Sequence, residues 1–347
     1  MNRINKEIST KHFQIGSDKP AYIIAEIGSN HNGNFDLAME LIERAKDAGV
    51  NAVKFQTFKA KNHYSKLSPE ISMYNEPIYD IIERLEIDRS WHVKLSEKCQ
   101  ELGIDFLDSP CDYEAIDLAL SVDMPLMKVA SFDMVDLDLI ERIAKTNKAV
   151  MFSTGMANLS EIQNAVNACR NLDNDDIIIL QCTSLYPAPS NLANLRTINT
   201  LESTFNCITG YSDHTEGDVI PCAAVAMGAK VIEKHYTLDR TLDGPDHKFA
   251  IEPADLKIMI DKIREIELAM GDGIKNGPRK EEEEMFQKVR SSIIANKDLE
   301  VGHVLSREDV VIKRPGIGIS PQQIDIVVGR KVIQPLKKDQ AITWEAI

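Results

Sequence analysis

The sequence lacks several features that would assign it to a class at once. No apolar stretch of the 347 residues approaches the length of a membrane span, and the first residues, MNRINKEISTKH, have no apolar signal core. Basic residues do not outnumber acidic ones, and the net charge of −14 argues against a surface for nucleic acid or anionic membranes. These absences predict a cytoplasmic protein with neither nucleic acid nor a membrane as its partner.

Paired cysteines and the common nucleotide and hydrolase motifs are missing too. The six cysteines form no C-x-x-C pair and fall mostly in apolar runs, which predicts buried free thiols in a reducing compartment. No P-loop, G-x-S-x-G, H-E-x-x-H or dinucleotide fingerprint occurs. Apolar content of 43% and charged content of 27% are nonetheless ordinary for a globular enzyme.

What the sequence does contain is a regular alternation of short apolar, β-branched runs with amphipathic helical stretches. Several of these stretches end in Ala-Gly, Leu-Gly or Met-Gly, a common helix stop. Eight such units predict a (β/α)8 barrel rather than an open doubly wound sheet, because no glycine-rich first loop is present. The predicted strands are 21–28, 50–57, 104–109, 126–131, 149–154, 177–183, 207–213 and 230–237.

The chain changes character after residue 270. We assign 1–270 to the barrel, the glycine- and charge-rich 271–288 to a linker, and 289–347 to a small second domain. Within the linker, the acidic run 281–284 is interpreted as a solvated helix start without chemistry. Short β-like pieces predict that the second domain consists mostly of strands. These pieces are 292-SIIA, 309-DVVIKRP, 325-DIVVG and 332-VIQPL.

Residues at the carboxyl ends of barrel strands face the active site. Because the first, seventh and eighth strands are neighbours in a closed barrel, Glu26, His214 and His235 are expected to meet on one rim. Two imidazoles suit a borderline metal such as Mn²⁺, Zn²⁺ or Fe²⁺ with open positions for substrate. A lone histidine there is more often structural, but two on neighbouring strands opposite an acid favour a metal site.

Two lysines lie inside predicted strands on the face that points into a barrel. An unpaired lysine is too costly there, so Lys54 and Lys128 are expected to bind a partner. Lysines and hydroxyls on one concave rim suit a phosphorylated or carboxylated ligand. The hydroxyls could instead pair with backbone, and Glu233 could be an ordinary ion-pair partner. The other strand-end residues are Ser109, Ser131, Ser153, Thr154, Thr183, Ser184 and Ser212.

Many of these residues lie in strings that resemble the sialic acid synthase family. The match runs in order from about residue 13 to the C-terminus and includes 313-KRPGIGIS, which is similar to the family's antifreeze-like domain. The resemblance implies an α/β fold, a (β/α)8 barrel followed by a small, mostly β antifreeze-like (SAF) domain. The barrel strings are 25-AEIGSNHNG, 53-VKFQTF, 128-KVAS, 153-STGM, 182-CTSLYPAP, 210-GYSDHT, 233-EKHYTLD and 243-DGPDH.

The resemblance implies a phosphoenolpyruvate-dependent transferase that forms a carbon–carbon bond. It would condense the enol with the open-chain aldehyde of an N-acetylmannosamine-type sugar, giving a nine-carbon 2-keto acid and phosphate. A divalent metal on His214 and His235, Mn²⁺ in the first place and Mg²⁺ or Co²⁺ otherwise, would polarise the aldehyde. Glu26 would transfer a proton or orient water. The family's phosphoenolpyruvate contacts correspond to Lys54, Ser109, Lys128, Ser131, Ser153 and Ser212.

The sugar end of the resembled site is where this chain departs from the family pattern. Family members that use N-acetylmannosamine have Asn where this chain has Ser184 and Glu where it has Asp133. They have an amide side chain near position 73, where this chain has Met73 with Asn75 two residues on. They have an aromatic residue where this chain has Arg290. The family's sugar contacts correspond to Asp133, Ser184, Tyr186, Asp246 and Arg314.

Arg314 belongs to a Lys-Arg-Pro string in the second domain, which by default would be a surface turn. In the resembled family this arginine reaches a partner subunit's barrel and binds the sugar. The resemblance therefore implies a domain-swapped homodimer.

Several alternatives stay open. The expected acceptor is N-acetylmannosamine or 2,4-diacetamido-2,4,6-trideoxymannose. The alternative activities are a pseudaminate synthase and a 9-phosphate-forming synthase. The string 243-DGPDH looks more like the neuraminate and legionaminate branches than the pseudaminate branch. A metal-dependent sugar isomerase or hydrolase barrel would need the histidines and acids but not the two lysines. A glycan- or ice-binding protein would need a regular Thr or apolar array, which 309-DVVIKRPGIGISPQQID lacks.

Overall fold

The computed structural model describes residues 6–69 and 77–347. The chain divides into two compact units, Met1–Gly271 and Asp272–Ile347. Within the described ranges, no helix combines the length and the apolar character of a membrane span.

The first unit is a closed parallel barrel preceded by a short antiparallel hairpin, β1 (Glu7–Ser9) and β2 (Gln14–Gly16). Each predicted run overlaps one barrel strand, and the last strand pairs with the first, so the predicted (β/α)8 barrel is confirmed. The barrel strands are β3 (Tyr22–Gly28), β4 (Ala52–Thr57), β5 (Asp105–Pro110), β6 (Leu126–Val129), β7 (Ala149–Ser153), β8 (Ile177–Cys182), β9 (Ile208–Asp213) and β10 (Val231–His235).

Helices follow the strands and cover the barrel. In α1, Asn34 caps the first turn by accepting from the backbone N–H of Asp36 and Leu37, and Gly49 ends the helix at a φ of 96°. The helices of this unit are α1 (Phe35–Ala48), α2 (Ala60–His63), α3 (Ile78–Leu85), α4 (His92–Leu102), α5 (Tyr113–Ser121), α6 (Leu137–Ala144), α7 (Leu159–Arg170), α8 (Thr197–Phe205), α9 (Val219–Ala226) and α10 (Pro253–Met270).

The alternation of side chains along each strand separates two cores. Residues pointing outward pack against the helices, while a second cluster, including Ile24, Leu126 and Val231, fills the barrel interior. Two residues further along the same strands, the inward positions become polar. The carboxyl end of the barrel interior is therefore lined by ionisable and hydroxyl groups, and the apolar cluster fills the interior on the amino-terminal side of them.

The second unit contains one antiparallel pair, β11 (Ser292–Ala295) with β12 (Val310–Lys313), and isolated antiparallel bridges such as Leu299 with Leu336. The acidic run 281–284 does begin a helix, α11 (Glu283–Val289), after a 3₁₀ turn at Lys280–Glu282.

The strand prediction for 325-DIVVG is wrong. That segment forms the short helix α12 (Ile324–Val327) after a 3₁₀ turn that starts at Pro321, where the Ser320 hydroxyl accepts from Gln322 N. The run 332-VIQPL contributes the Leu336 bridge but no continuous strand.

Candidate active site

The register of three neighbouring strands sets the first residues of the site in a row. His235 of β10 is the cross-strand partner of Glu26 on β3, and Glu26 is in turn the partner of Lys54 on β4. Residues in such a row on parallel strands point to the same side of the sheet. The structure thus brings the predicted acid, one predicted histidine and one predicted lysine together at the carboxyl end of the barrel.

Four buried charges form the centre of this mouth. Lys54 Nζ lies 2.7 Å from Glu26 Oε2 and 3.7 Å from Glu233 Oε2, and Lys128 Nζ lies 3.7 Å from Glu233 Oε1. All four side chains are nearly inaccessible to solvent. Glu233 therefore lies between the two lysines, and its negative charge offsets the free energy that is lost when the ammonium groups are buried.

The environment of each charge sets the direction of its pKa. Burial opposes ionisation of Glu233, but the Lys128 and Lys54 ammonium groups lower its pKa to about 2. Burial lowers the pKa of Lys128, only partly opposed by Glu233. Burial raises the pKa of Glu26, with Lys54 acting against the shift and Glu233 adding to it. The mouth therefore combines a firmly ionised acid with a lysine that loses its proton more easily than usual.

Hydroxyl groups surround these charges. Ser109 Oγ accepts from Lys54 Nζ at 3.0 Å, and Ser212 Oγ donates to Glu233 Oε1 at 2.9 Å. Ser153 Oγ is buried and has no hydrogen-bond partner within residues 6–69 and 77–347. A buried hydroxyl without a partner is costly, so Ser153 is a group that a bound ligand would satisfy.

Gly155 forms a close contact with two further serines. Its backbone N–H donates to Ser131 Oγ at 3.0 Å, and a Cβ at this glycine would lie 2.1 Å from Ser184 Oγ. Ser184 Oγ is itself buried without a partner among the described residues. Glycine is thus required here by close approach, and Ser184 presents a second unsatisfied hydroxyl.

The two histidines of β9 and β10 face each other. Their ring centroids are 5.2 Å apart, His214 Nδ1 lies 2.8 Å from the carbonyl oxygen of Thr183, and His235 Nδ1 lies 3.4 Å from Asp246 Oδ2. The Tyr186 ring stacks on His214 with centroids 4.2 Å apart. Each imidazole is oriented through Nδ1, which leaves both Nε2 atoms available as ligands.

This pair fits a divalent metal with open positions. His235 Nδ1 makes no hydrogen bond within the described residues, and the carboxylate that faces it is Asp246 at 3.4 Å. Among the described residues, no third His, Cys, Asp or Glu atom converges with the pair; the one trio whose ligand atoms lie within 4.8 Å of one another is His63, Cys111 and Asp133. Two protein ligands leave the remaining positions to substrate or water.

Asp133 lies on the other side of the mouth from the histidines. Its Oδ1 is 3.3 Å from His63 Nε2, and its Oδ2 is 3.9 Å from the Cys111 thiol. Burial raises the pKa of Asp133, which His63 opposes.

Two residues discussed for the sugar side of the site, Arg314 and Arg290, belong to the second unit. Arg314 is exposed on the second unit, before a cis peptide bond to Pro315. Arg290, also in that unit, has its guanidinium carbon 4.7 Å from the Phe286 ring centroid. Met73 and Asn75 lie outside the described residues.

Sequence reasoning missed some residues of the mouth. Gln56 donates to Glu26 Oε1 at 2.6 Å, and Phe249 lies against His235 with ring centroids 5.1 Å apart. Gln56 could have been found, because it is two positions after Lys54 on the same strand face. Phe249 follows β10 in an irregular loop, where no periodicity signals orientation. Conversely, Thr154 and Thr183 donate to backbone carbonyls, the structural role considered for strand-end hydroxyls.

Comparison with known proteins shows the family of each unit. Residues 41–275 match the NeuB family, and residues 290–347 match the SAF domain. The chain is 42% identical to an N,N'-diacetyllegionaminic acid synthase of Campylobacter jejuni over 93% of this chain and 99% of the relative. It is 37% identical to the N,N'-diacetyllegionaminic acid synthase of Legionella pneumophila over 96% of each chain.

A solved structure shows the same fold. The N-acetylneuraminic acid (sialic acid) synthetase of Leptospira borgpetersenii, crystallised with citrate, superposes with a TM-score of 0.76 at 34% identity, covering 82% of this chain and 96% of that one. These relatives are acid synthases, so the chain is an enzyme. It belongs to the NeuB family, with a carboxyl-terminal SAF domain.

Proposed function

We propose that the protein is a nonulosonic acid synthase that condenses phosphoenolpyruvate with the aldehyde of an N-acetylmannosamine-type sugar. One observation carries the proposal: two buried lysines and a set of hydroxyls converge beside a facing pair of histidines. Lysines and hydroxyls donate to anionic oxygens, and imidazoles bind a Lewis-acid metal. A sugar isomerase would use the histidines but has no need of the lysines.

Phosphoenolpyruvate would bind over the charged centre. Lys54, Lys128 and Ser212 already form contacts there, and the unpartnered Ser153 hydroxyl would gain an acceptor. The substrate's phosphate and carboxylate would bind the two ammonium groups that now face Glu233, so the positive charges are already buried in place before the substrate arrives. Ser109 and Ser131 would complete the anion contacts.

The condensation balances as phosphoenolpyruvate plus aldehyde plus water giving 2-keto acid plus phosphate. The enol carbon forms a bond to the aldehyde carbon, whose oxygen takes a proton and becomes a hydroxyl. Water then adds at the cationic carbon, and phosphate leaves as its carbon–oxygen bond breaks. Glu26 would accept the proton of that water at Oε1 or Oε2, a role supported by its buried position and raised pKa.

A divalent metal fits His214 and His235, and when bound it would polarise the sugar aldehyde; Mn²⁺ is our first choice, with Mg²⁺ or Co²⁺ as others. The chain's own contribution is orientation. The Thr183 carbonyl and the Asp246 carboxylate face the two rings at Nδ1, and the Tyr186 ring lies against His214.

The acceptor we propose is 2,4-diacetamido-2,4,6-trideoxymannose, which would give a legionaminic-type acid. The two relatives named as N,N'-diacetyllegionaminic acid synthases support this choice. The buried, unpartnered Ser184 hydroxyl and the Asp133 carboxylate would contact the sugar together with Tyr186 and Asp246.

Arg314 is the proposed sugar contact from the second domain. It is exposed on its own unit, as a residue donated to a partner subunit must be, and we therefore propose a domain-swapped homodimer. A cytoplasmic location, where phosphoenolpyruvate is available, is part of the same proposal.

The product tests the proposal directly. The purified protein would be incubated with phosphoenolpyruvate, Mn²⁺ and either N-acetylmannosamine, its 6-phosphate or 2,4-diacetamido-2,4,6-trideoxymannose, and the mixture would be examined by mass spectrometry. A nine-carbon keto acid at the mass of acceptor plus pyruvate is expected with the diacetamido sugar. Product from N-acetylmannosamine alone would keep the reaction and replace the acceptor, whereas no product from any sugar would refute the function.

A further inference from the structure

A second cluster of metal-binding side chains lies across the barrel mouth from the two histidines. It consists of His63 on α2, Cys111 after β5 and Asp133 after β6. In the order of the barrel, β5 and β6 lie opposite β9 and β10, which carry the histidine pair. The two sets of ligands therefore belong to opposite walls of one cavity.

The ligand atoms of His63, Cys111 and Asp133 lie close enough together to share one ion, all within 4.8 Å of one another. Bond lengths of about 2.0–2.3 Å to N, O and S at tetrahedral angles place N and O about 3.3 Å apart and S and O about 3.6 Å apart. His63 Nε2 lies 3.3 Å from Asp133 Oδ1, and the Cys111 sulfur lies 3.9 Å from Asp133 Oδ2. Because the two side chains face different oxygens of the carboxylate, a small rotation of Asp133 and a small closing of the thiol would bring one N, one O and one S atom to these spacings.

The chemistry of the trio selects the ion. A thiolate, an imidazole and a carboxylate form a mixed, soft donor set that suits Zn²⁺ and disfavours Mg²⁺ and Ca²⁺, which prefer oxygen. His63 and Cys111 are only partly covered, so an ion can reach them from the mouth. Without an ion, burial and the neighbouring Asp133 hold the pKa of the Cys111 thiol well above its ordinary value. Binding would therefore release the thiol proton to solvent.

We propose that His63, Cys111 and Asp133 form a second, zinc-class metal site, separate from the histidine pair, and that its occupation blocks the acceptor sugar. The blocking follows because an ion held by Asp133 would compete with the sugar for the oxygens of the same carboxylate. This second part rests on the proposed function, which assigns Asp133 to the sugar, whereas the metal site itself does not.

Cobalt titration tests the site without using activity. Co²⁺ added to the reduced metal-free protein, with a non-thiol reductant, would give a near-ultraviolet thiolate-to-cobalt charge-transfer band that Zn²⁺ removes. The band should saturate by about two equivalents, because the histidine pair also takes up Co²⁺. It should be lost in Cys111→Ser and weakened in His63→Asn. His63 is on a partly exposed short helix, so its replacement keeps the test valid if Cys111→Ser folds poorly.

Cys182→Ser is the matched control. The Cys182 sulfur lies 3.8 Å from His214 Nδ1, so a thiolate band could instead arise at the histidine pair. The proposal requires the band to persist in Cys182→Ser. A band lost in Cys182→Ser but kept in Cys111→Ser would overturn it, as would the absence of any thiolate band in the unmodified protein.

Inhibition tests the consequence. With Mn²⁺ saturating, Zn²⁺ should inhibit turnover competitively against the sugar and not against phosphoenolpyruvate. Cys111→Ser should raise the half-inhibiting Zn²⁺ concentration at least about tenfold, since even outer-shell changes cost about 10–100-fold in metal affinity. Equal inhibition of both proteins would refute the blocking. If the protein forms no keto acid, the cobalt result still decides whether the site exists.

Discussion

Lys54 and Glu26 form a buried ion pair at the centre of the barrel mouth, with Nζ 2.7 Å from Oε2 and less than 3% of either side chain exposed. The adjacent strand register of β3 and β4 sets this pair, and Ser109 supplies Lys54 with a further acceptor. Lys128 differs, because its nearest carboxylate oxygen is 3.7 Å away on Glu233. Of the two lysines, Lys128 is therefore the one whose charge is less compensated before substrate binds.

The fall in kcat/KM for phosphoenolpyruvate at high pH should be caused by deprotonation of Lys128. Burial lowers its pKa, so Lys128 loses its proton, and with it the attraction for phosphoenolpyruvate, below the value of about 10.4 usual for lysine. We expect kcat/KM for phosphoenolpyruvate to fall with rising pH before that point. Lys128→Arg, which stays charged, should shift this fall to higher pH even if overall activity drops. An unchanged fall in the variant would assign it to another group.

Loss of either histidine should abolish turnover together with metal binding. Even the outer-shell partners of metal ligands are worth about 10–100-fold in affinity or activity, so His214→Ala and His235→Ala should each cost more than about 100-fold. Bound Mn²⁺ would be measured by metal analysis after desalting, beside the steady-state rate. His12→Ala, an exposed histidine near the amino-terminal hairpin, is the matched control and should change neither. Near-normal rates in metal-free variants would contradict the assignment.

A buried ion pair next to the histidines should hold them in place. Lys234 Nζ lies 2.5 Å from Asp213 Oδ2, and both side chains are inaccessible to solvent. Asp213 also accepts from the N–H and hydroxyl of Thr215. These residues flank His214 and His235 in sequence, so the pair ties together the two strand ends that carry them.

Lys234→Met should therefore weaken both stability and metal binding. Leaving Asp213 buried and unpaired is expected to lower the free energy of unfolding by about 3–5 kcal/mol, and the loosened rings should bind Mn²⁺ about 10–100-fold more weakly. Urea unfolding and metal titration measure the two effects. Lys257→Met breaks an exposed pair with Asp261 and should cost only about 0–1 kcal/mol. Equal losses in the two variants would show that burial of the pair is not the cause.

Arg314→Ala should raise KM for the sugar and leave that for phosphoenolpyruvate nearly unchanged. A hydrogen bond to a charged group contributes about 1.5–3 kcal/mol, which corresponds to roughly 10–100-fold in sugar affinity. Lys313→Ala is the control, because its side chain pairs with Asp339 in the same unit. Parallel increases in both KM values would move Arg314 to another role.

The sequence predicted the barrel and much of its mouth because both follow from periodicity. Alternation within strands places Lys54 and Lys128 inside, and closure of the barrel brings His235 beside Glu26. Both predictions require only the order and direction of the strands. The pairing of parallel neighbouring strands then determines which residues are cross-strand partners.

What the sequence could not predict depends on side-chain distances and irregular backbone. The contacts of Tyr186 with His214 and of His63 with Asp133 are made by residues outside the barrel strands, where the strand periodicity places no side chain. The helix at Ile324–Val327 was misjudged as a strand because a run of four or five residues is too short to separate the two periods. Ser320 and Pro321 start the 3₁₀ turn that leads into this helix, and the β-branched residues that follow made the segment resemble a strand.

Release of inorganic phosphate from phosphoenolpyruvate is the most direct test of the central claim. The purified enzyme with Mn²⁺ should release phosphate only when an acceptor sugar is present, fastest with 2,4-diacetamido-2,4,6-trideoxymannose, and EDTA should stop the release. Release at the same rate without any sugar would identify a phosphatase. No release with any of the proposed acceptors would contradict the condensation itself.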